Sequence, residues 1–483
     1  MASVTSLGIG TNGLDLEGLV TKLVAAQRTP LDQLQTRTDG LKTQLSAYGK
    51  LQSVLSSMRD AAAKLTNPDT WSASIASSTD AASVAVAAST SGGAGNYTVS
   101  VSKIASAQTL ASKAMATTGS VGAGSLTIEL GSWNADQSGF TAKTGASAIT
   151  IDIAPGEDSL TQIRDKINAA KAGVTASIVT DATGSRLVMR STDTGESNGF
   201  RVSVSDADGG NSDDQGLSAL AFDPSSGVSS MTQKLAAGNA AAVINGIEIS
   251  SETNALKDSI DGLSITLLKP TTSDVTLTVS QDKDSLKKAV TDFATAYNSV
   301  ITLIRDQTKV VPREKGSTEA SQSGPLVGDS TAIGLLGQLR GLASGTTTLG
   351  GSLTRLADIG LDPGTDGTLK INASKLDKAL AKPDELKQMF MGLDAGNAAN
   401  NGLAQRLRSF ASDALGSEGR VSNKQAGLQS RITSNGKQSA ALEDRLASVE
   451  KRLRAQYSAL DTSMGKLNSL STYVSQQMAL LSK

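Results

Sequence analysis

Cysteine and histidine are both missing from the 483-residue chain. Their absence excludes disulfides, thiolate nucleophiles, Cys/His zinc sites, imidazole bases and haem held by either residue. Catalysis would have to rest on carboxylates, lysine, tyrosine or hydroxyls alone. Aromatic residues make up 3% of the chain, too few for a stacking platform or for many aromatic-lined pockets. Charge of neither sign dominates. The 45 Lys and Arg against 46 Asp and Glu leave a net charge of −1 and no global basic field to attract nucleic acid. No stretch approaches 18 uninterrupted apolar residues, so no membrane span is expected. The first twenty residues hold no basic segment followed by an apolar one, so no Sec-type signal is expected either. A structural protein without metal or cofactor fits what remains, and both a cytosolic location and export by a signal-less route are compatible with it.

What is present falls into three zones, in keeping with about three domains for this length. From Leu14 to about Leu65 apolar residues recur at helical spacing. Thr29-Pro30-Leu31-Asp32 reads as a helix start, with Thr29 as cap and Pro30 at the first helical position. The expectation is one helix ending near Arg28 and a second beginning at Pro30. In the second, Leu31, Leu34, Thr38, Leu41, Leu45, Tyr48, Gln52 and Leu55 alternate at spacings of three and four, a heptad seam with two polar members. From about Trp71 to Val279 the chain turns to Ser, Thr, Ala and Gly with short alternating strands, among them Tyr97–Val101, Leu126–Leu130 and Ile149–Ile153. One helical pattern interrupts them, with Leu160, Ile163 and Ile167 on a face opened by Asp158 or Ser159. Strands at Val174–Thr180, Arg186–Arg190 and Phe200–Ser205 are expected after it. Helices then return, and Leu286, Val290, Phe293, Tyr297, Val300 and Ile304 line one face of the first.

The last sixty residues carry the clearest period. Leu446, Leu453, Leu460, Leu467, Val474 and Leu481 recur every seven residues. Of the positions three further on, Val449 and Leu470 are apolar while Gln456, Ser463 and Gln477 are polar, so the stripe does not make a self-sufficient two-stranded zipper. Tyr457, Met464 and Met478, one position further round, widen it toward other neighbours. A helix from about Val421 to Leu481 would run roughly 90 Å at about 1.5 Å per residue.

The expected fold is therefore a multidomain α+β chain. Both termini form a helical coiled-coil or bundle stalk, and mostly antiparallel β-rich head domains are inserted between them. The partition assigns residues 1–40 and 430–483 to terminal coiled-coil arms and 41–70 with 280–429 to a helical bundle. It assigns 71–110 with 235–279 to a β-rich head domain, and 111–234 to an inserted outer α+β domain. Charge divides along similar lines. Residues 111–234 hold nine basic and fourteen acidic residues, whereas 401–460 hold ten basic and five acidic.

Two motifs carry less than their letters promise. Gly8-Ile9-Gly10-Thr11-Asn12-Gly13 matches G-x-G-x-x-G, but a dinucleotide site needs a strand before it and a βαβ crossover after it. Here a helix follows a helix, and the motif reads as a Gly-rich lead-in. The acidic run from Asp206 to Asp214 fails as an EF-hand loop, because the sixth and twelfth positions are Asn211 and Leu217 rather than Gly and Glu. Leu361 to Gly367 reads as turn chemistry between short strands. No carboxylate pair stands out as a hydrolytic dyad.

The two arms resemble a known family. Residues 7–34, LGIGTNGLDLEGLVTKLVAAQRTPLDQL, are similar to the start of the flagellar filament cap proteins, the hook-associated protein 2 family. Residues 452–479 resemble that family's closing helix, and YTVSVSKIASAQ, residues 244–268 and residues 356–380 agree in order. Residues 150–195 resemble a module that recurs in flagellins and hook-associated proteins. Residues 111–148 and 191–235 show no family pattern. The resemblance implies a secreted structural protein, not an enzyme, exported unfolded through the flagellar type III apparatus with the help of an export chaperone. It implies a self-assembled ring, a pentamer, at the distal filament tip, where it retains flagellin and promotes its polymerisation. Arm assembly would fall to a seam of Leu31, Leu34, Leu41, Leu45, Leu446, Val449, Leu453, Leu460, Leu467, Leu470, Val474 and Leu481. The alternative function is adhesion, with an exposed head binding host mucin or glycans.

Overall fold

The computed structural model describes residues 16–89, 92–116, 119–312 and 322–481. The Gly8–Gly13 motif lies outside them. The nine helices among the described residues are α1 (Leu16–Leu65), α2 (Pro68–Ser72), α3 (Leu160–Ala170), α4 (Lys283–Thr308), α5 (Ser330–Ala343), α6 (Ala373–Ala379), α7 (Pro383–Met391), α8 (Leu403–Leu415) and α9 (Arg420–Leu481). The chain divides into two compact units. One holds residues up to Trp71 and from Lys283 onward, and the other runs from Ser72 to Asp282.

The helical unit is built around one apolar core. Leu286, Val290, Phe293, Tyr297, Val300 and Ile304 of α4 are all buried in it, as their spacing predicts. Phe390 of α7 meets Phe293 edge-on at 6.0 Å and Trp71 at 6.1 Å. The strands Leu361–Pro363 and Leu369–Ile371 pair across the expected turn, where Asp366 accepts from the Thr368 amide at 3.0 Å and its hydroxyl at 2.7 Å.

Two expectations for α1 are corrected. The helix does not stop at Arg28 but continues through Pro30 for 50 residues. Proline's missing N–H leaves the Ala26 carbonyl without its helical donor. The Thr29 hydroxyl donates to that carbonyl at 3.3 Å, so the residue that reads as a cap instead repairs the helix. The seam also changes phase in its burial: Gln52 is exposed though it still bonds Gln425 of α9, and Leu51 beside it is buried. From there Leu55, Met58, Ala62 and Leu65 face the core. Over its length the helix meets α4 and α8 as well as α9. Several neighbours demand a different apolar face from the one a single partner helix needs.

The second unit is antiparallel throughout. A five-stranded sheet orders Ser74–Ser78, Val275–Gln281, Gly95–Lys103, Ala240–Ile244 and Ile247–Ser251. Its last two strands turn at Asn245-Gly246, where both residues take positive φ (49° and 82°), the left-handed pair that a two-residue hairpin requires. The strands Ala255–Ile260, Leu263–Leu267 and Val84–Ala88 form a three-stranded sheet, and Val84, Val99, Ile265 and Leu277 share a core. A second core lies under α3, where Leu160, Ile163 and Ile167 pack with Leu126, Phe200 and Leu187. Ser159, not Asp158, is the cap of α3, in a capping box with Gln162.

The chain enters and leaves this unit side by side. Ser74 pairs with Gln281 at the unit's margin, and the Asp282 amide donates to the Ala73 carbonyl at 2.9 Å. A domain whose ends are adjacent strands keeps its ladder when excised. Residues 72–282 expressed alone should therefore unfold cooperatively and sediment as a monomer. Concentration-dependent association in sedimentation velocity would overturn this.

Candidate assembly surface

The first and last helices run antiparallel, and three polar contacts fix their register. Arg454 lies 2.9 Å from Glu17, Asn435 Nδ2 donates to Thr38 Oγ1 at 3.1 Å, and Gln425 Nε2 donates to Gln52 Oε1 at 3.0 Å. Arg454 also bridges to Glu450 at 3.0 Å, and bonding to Glu450 together with the Glu17 charge raises its pKa. Polar contacts inside a helix pair define register at some cost in stability. An Asn435→Leu chain should gain on the order of 1 kcal/mol yet lose its unique pairing. Because the chain has no cysteine, Glu17→Cys with Arg454→Cys gives a clean crosslink to read. An undiminished crosslink in the Asn435→Leu background would refute the register role.

The proposed seam residues separate into three groups. Leu31 and Leu41 are buried. Leu34, Leu45, Leu446, Val449 and Leu453 are half-buried where α1 and α9 face each other. Leu460, Leu467, Leu470 and Val474 are exposed at 51, 60, 58 and 51%. The side chain of Leu481 lies outside the described residues. The division follows from the register. Arg454 is level with Glu17, one residue from the first described position of α1, and α9 continues for about 40 Å more at about 1.5 Å per residue. Over that length Met464 and Met478 are exposed beside the leucines.

Some of the surface is not in the expected seam. Val20 is buried, while Leu19 and Leu23 are each about two-fifths exposed. Running the heptad backward from Leu31 through Gln27 and Val24 reaches Val20. The seam read from the sequence stops short of it because Pro30 there marks a helix start.

At its inner end the pair packs into the bundle core and is tied to it by a carboxylate as well. Asp329 caps α5, its Oδ1 accepting from the Thr331 and Ala332 amides at 3.0 and 3.1 Å. The buried Tyr48 hydroxyl donates to the same oxygen at 2.7 Å, and Lys424 of α9 lies 2.8 Å from Oδ2. Burial, then the bond to Asp329, pushes the Tyr48 pKa up. For Asp329 burial acts upward but is outweighed by the bonds from Lys424, Tyr48 and Ala332, and the carboxyl is held below its ordinary range. A carboxylate depressed by folding stabilises the fold at neutral pH. That stability fades as pH falls from about 3.9, the unfolded value, through the lowered one.

The acidic loop serves itself. Asp206 Oδ2 accepts from the Ser218 amide at 2.9 Å, and Asp213 Oδ1 accepts from the Gln215 amide at 3.1 Å and the Ser218 hydroxyl at 2.8 Å. Asp214 is paired with Lys113. No helix among the described residues is long and apolar enough to cross a membrane.

Comparison with known proteins points one way. A family model described as the flagellar hook-associated protein 2 N-terminus matches residues 12–108, and the model of its C-terminus matches residues 237–469. A flagellin hook IN motif matches residues 135–193. The flagellar hook-associated protein 2 of Escherichia coli K12 is 34% identical, with 99% of this chain and 98% of that protein covered. The B-type protein of Pseudomonas aeruginosa is 30% identical over 99% and 98%. The crystal structure of the D1-D2-D3 domains of the Escherichia coli flagellar cap protein matches with a TM-score of 0.60 at 30% identity. It covers 79% of this chain and 99% of that one.

Proposed function

This chain belongs to the flagellar hook-associated protein 2 family, and from that premise we propose that it caps the distal tip of a bacterial flagellar filament. In this reading copies of the chain assemble into a ring, a pentamer, after export through the flagellar type III apparatus. The ring retains arriving flagellin and promotes its folding into the lattice. The arms carry assembly, and the Ser72–Asp282 unit supplies lateral contacts.

The observation that carries the reading is the stripe on the outer part of α9. Leu460, Met464, Leu467, Val474 and Met478 are apolar, at heptad spacing, and open. A monomer gains nothing from keeping such a stripe in water, and a contiguous exposed apolar surface marks an interaction site. Two helices as long as α1 and α9 also give a filament-tip protein reach without bulk.

Electron microscopy of the purified full-length chain should show rings. Complementation of a cap-null strain should restore filaments and stop loss of unpolymerised flagellin to the medium. Monomers at micromolar concentration together with continued flagellin loss would overturn the proposal.

A further inference from the structure

We infer that the Asp329 carboxylate, held by Tyr48 and Lys424, is a clamp that sets where the α1–α9 arm ends, so that the arm opens without loosening the bundle. Three features coincide at this point. The seam changes phase here, running Leu41, Leu45, Tyr48, Leu51, Leu55 with two successive spacings of three. Such a departure from the heptad locally changes the winding of a helix pair. Burial changes here too. Leu51, Leu55, Met58 and Leu65 are buried on one side of it, and on α9 so are Val421 and Leu428. On the other side every described α9 side chain beyond Ile432 is at best half-buried, although on α1 Val20, Leu31 and Leu41 stay buried.

The third feature is the chemistry of the clamp. The Asp329 oxygens accept two backbone amides of α5, the Tyr48 hydroxyl and the Lys424 ammonium. Three segments far apart in sequence are therefore tied through one nearly buried group. Opening the arm up to Leu41 breaks none of these bonds. Opening it about two turns further, at about 3.6 residues per turn, breaks the Tyr48 bond and leaves the carboxylate short of a donor in a poorly solvated place, which is costly. The clamp makes local opening stop there, and it gives the arm its own free energy of unfolding. This holds whatever partner the arm later meets.

Hydrogen exchange on the full-length chain tests the inference. In the parent protein amides of α1 before Leu41 and of α9 beyond Ile432 should exchange at least 100-fold faster than those of Tyr48–Leu65. Tyr48→Phe keeps the ring in the core and removes one bond. Asp329→Asn keeps a competent helix cap and removes the charge that holds Lys424. In both variants exchange at Tyr48–Leu55 should quicken at least tenfold relative to Val290–Ile301 of α4, with the α4 amides unchanged. Equal rates for arm and bundle in the parent would overturn the inference. So would unchanged protection at Tyr48–Leu55, or a fall in protection there matched by α4, which reports ordinary bundle stability.

Discussion

Removing residues 1–40 and 440–483 should abolish capping while leaving the rest of the chain folded. The deletion takes away the α1–α9 pairing outside Leu41 and every exposed member of the α9 stripe. It spares the core, because Tyr48, Leu51, Leu55 and Leu65 remain on α1 and Val421 and Leu428 on α9. The lost arms are short of burial by themselves. Ordering a residue costs about 1–2 kcal/mol in backbone entropy, and a two-helix pair with one open face recovers little of it. Burial against neighbouring copies at the filament tip offsets that cost, so order and function arrive together. A cap-null strain carrying the truncated chain should leak flagellin at the level of the null, while the purified protein keeps its thermal transition. Full-length filaments from that strain would show that capping does not reside in the arms.

Much of this architecture is written in the sequence, and its gaps have physical causes. The α4 face is readable because one helix packed on one core gives one clean period, and all six of its expected residues are buried. Ser159 and Gln162 announce α3 by local chemistry that needs no tertiary context. Pro30 misleads because the rule that proline ends a helix assumes an orphaned carbonyl, and the neighbouring hydroxyl of Thr29 supplies the missing donor. Gln52 keeps its contact with α9 through Gln425, but the buried face beside it shifts to Leu51, a shift the heptad alone does not announce. The Tyr48–Asp329–Lys424 junction is not legible in the sequence at all. Its members are separated by 281 residues in one step, and only the fold brings them together. The exposed state of Leu460 and Leu467 is equally hidden, because a heptad leucine looks the same whether its partner lies in the same chain or in another.

That last ambiguity makes the outer stripe the sharpest place to intervene. Leu460→Ser, Leu467→Ser and Val474→Ser together should abolish assembly without destabilising the monomer. Each of the three is at least half exposed, so the isolated chain loses little burial when they change. Burying such a side chain fully on association contributes about 1 kcal/mol from its remaining exposed area, at about 25 cal/mol per Å². Three changes per subunit would therefore weaken association by a factor of about 10² to 10³. Leu453→Ala is the useful contrast, because Leu453 is half-buried against α1. Its loss should lower the stability of the arm and weaken assembly only in part. Adding Leu460→Ala should then weaken oligomerisation further while the Ser72–Asp282 unit keeps its own unfolding transition. Sedimentation velocity and thermal melts on the same samples separate the two effects. If the triple variant sediments like its parent, the stripe is not the contact between copies. If it melts earlier than the parent at a dilution where both are monomeric, the stripe belongs to the fold of one chain and not to its assembly.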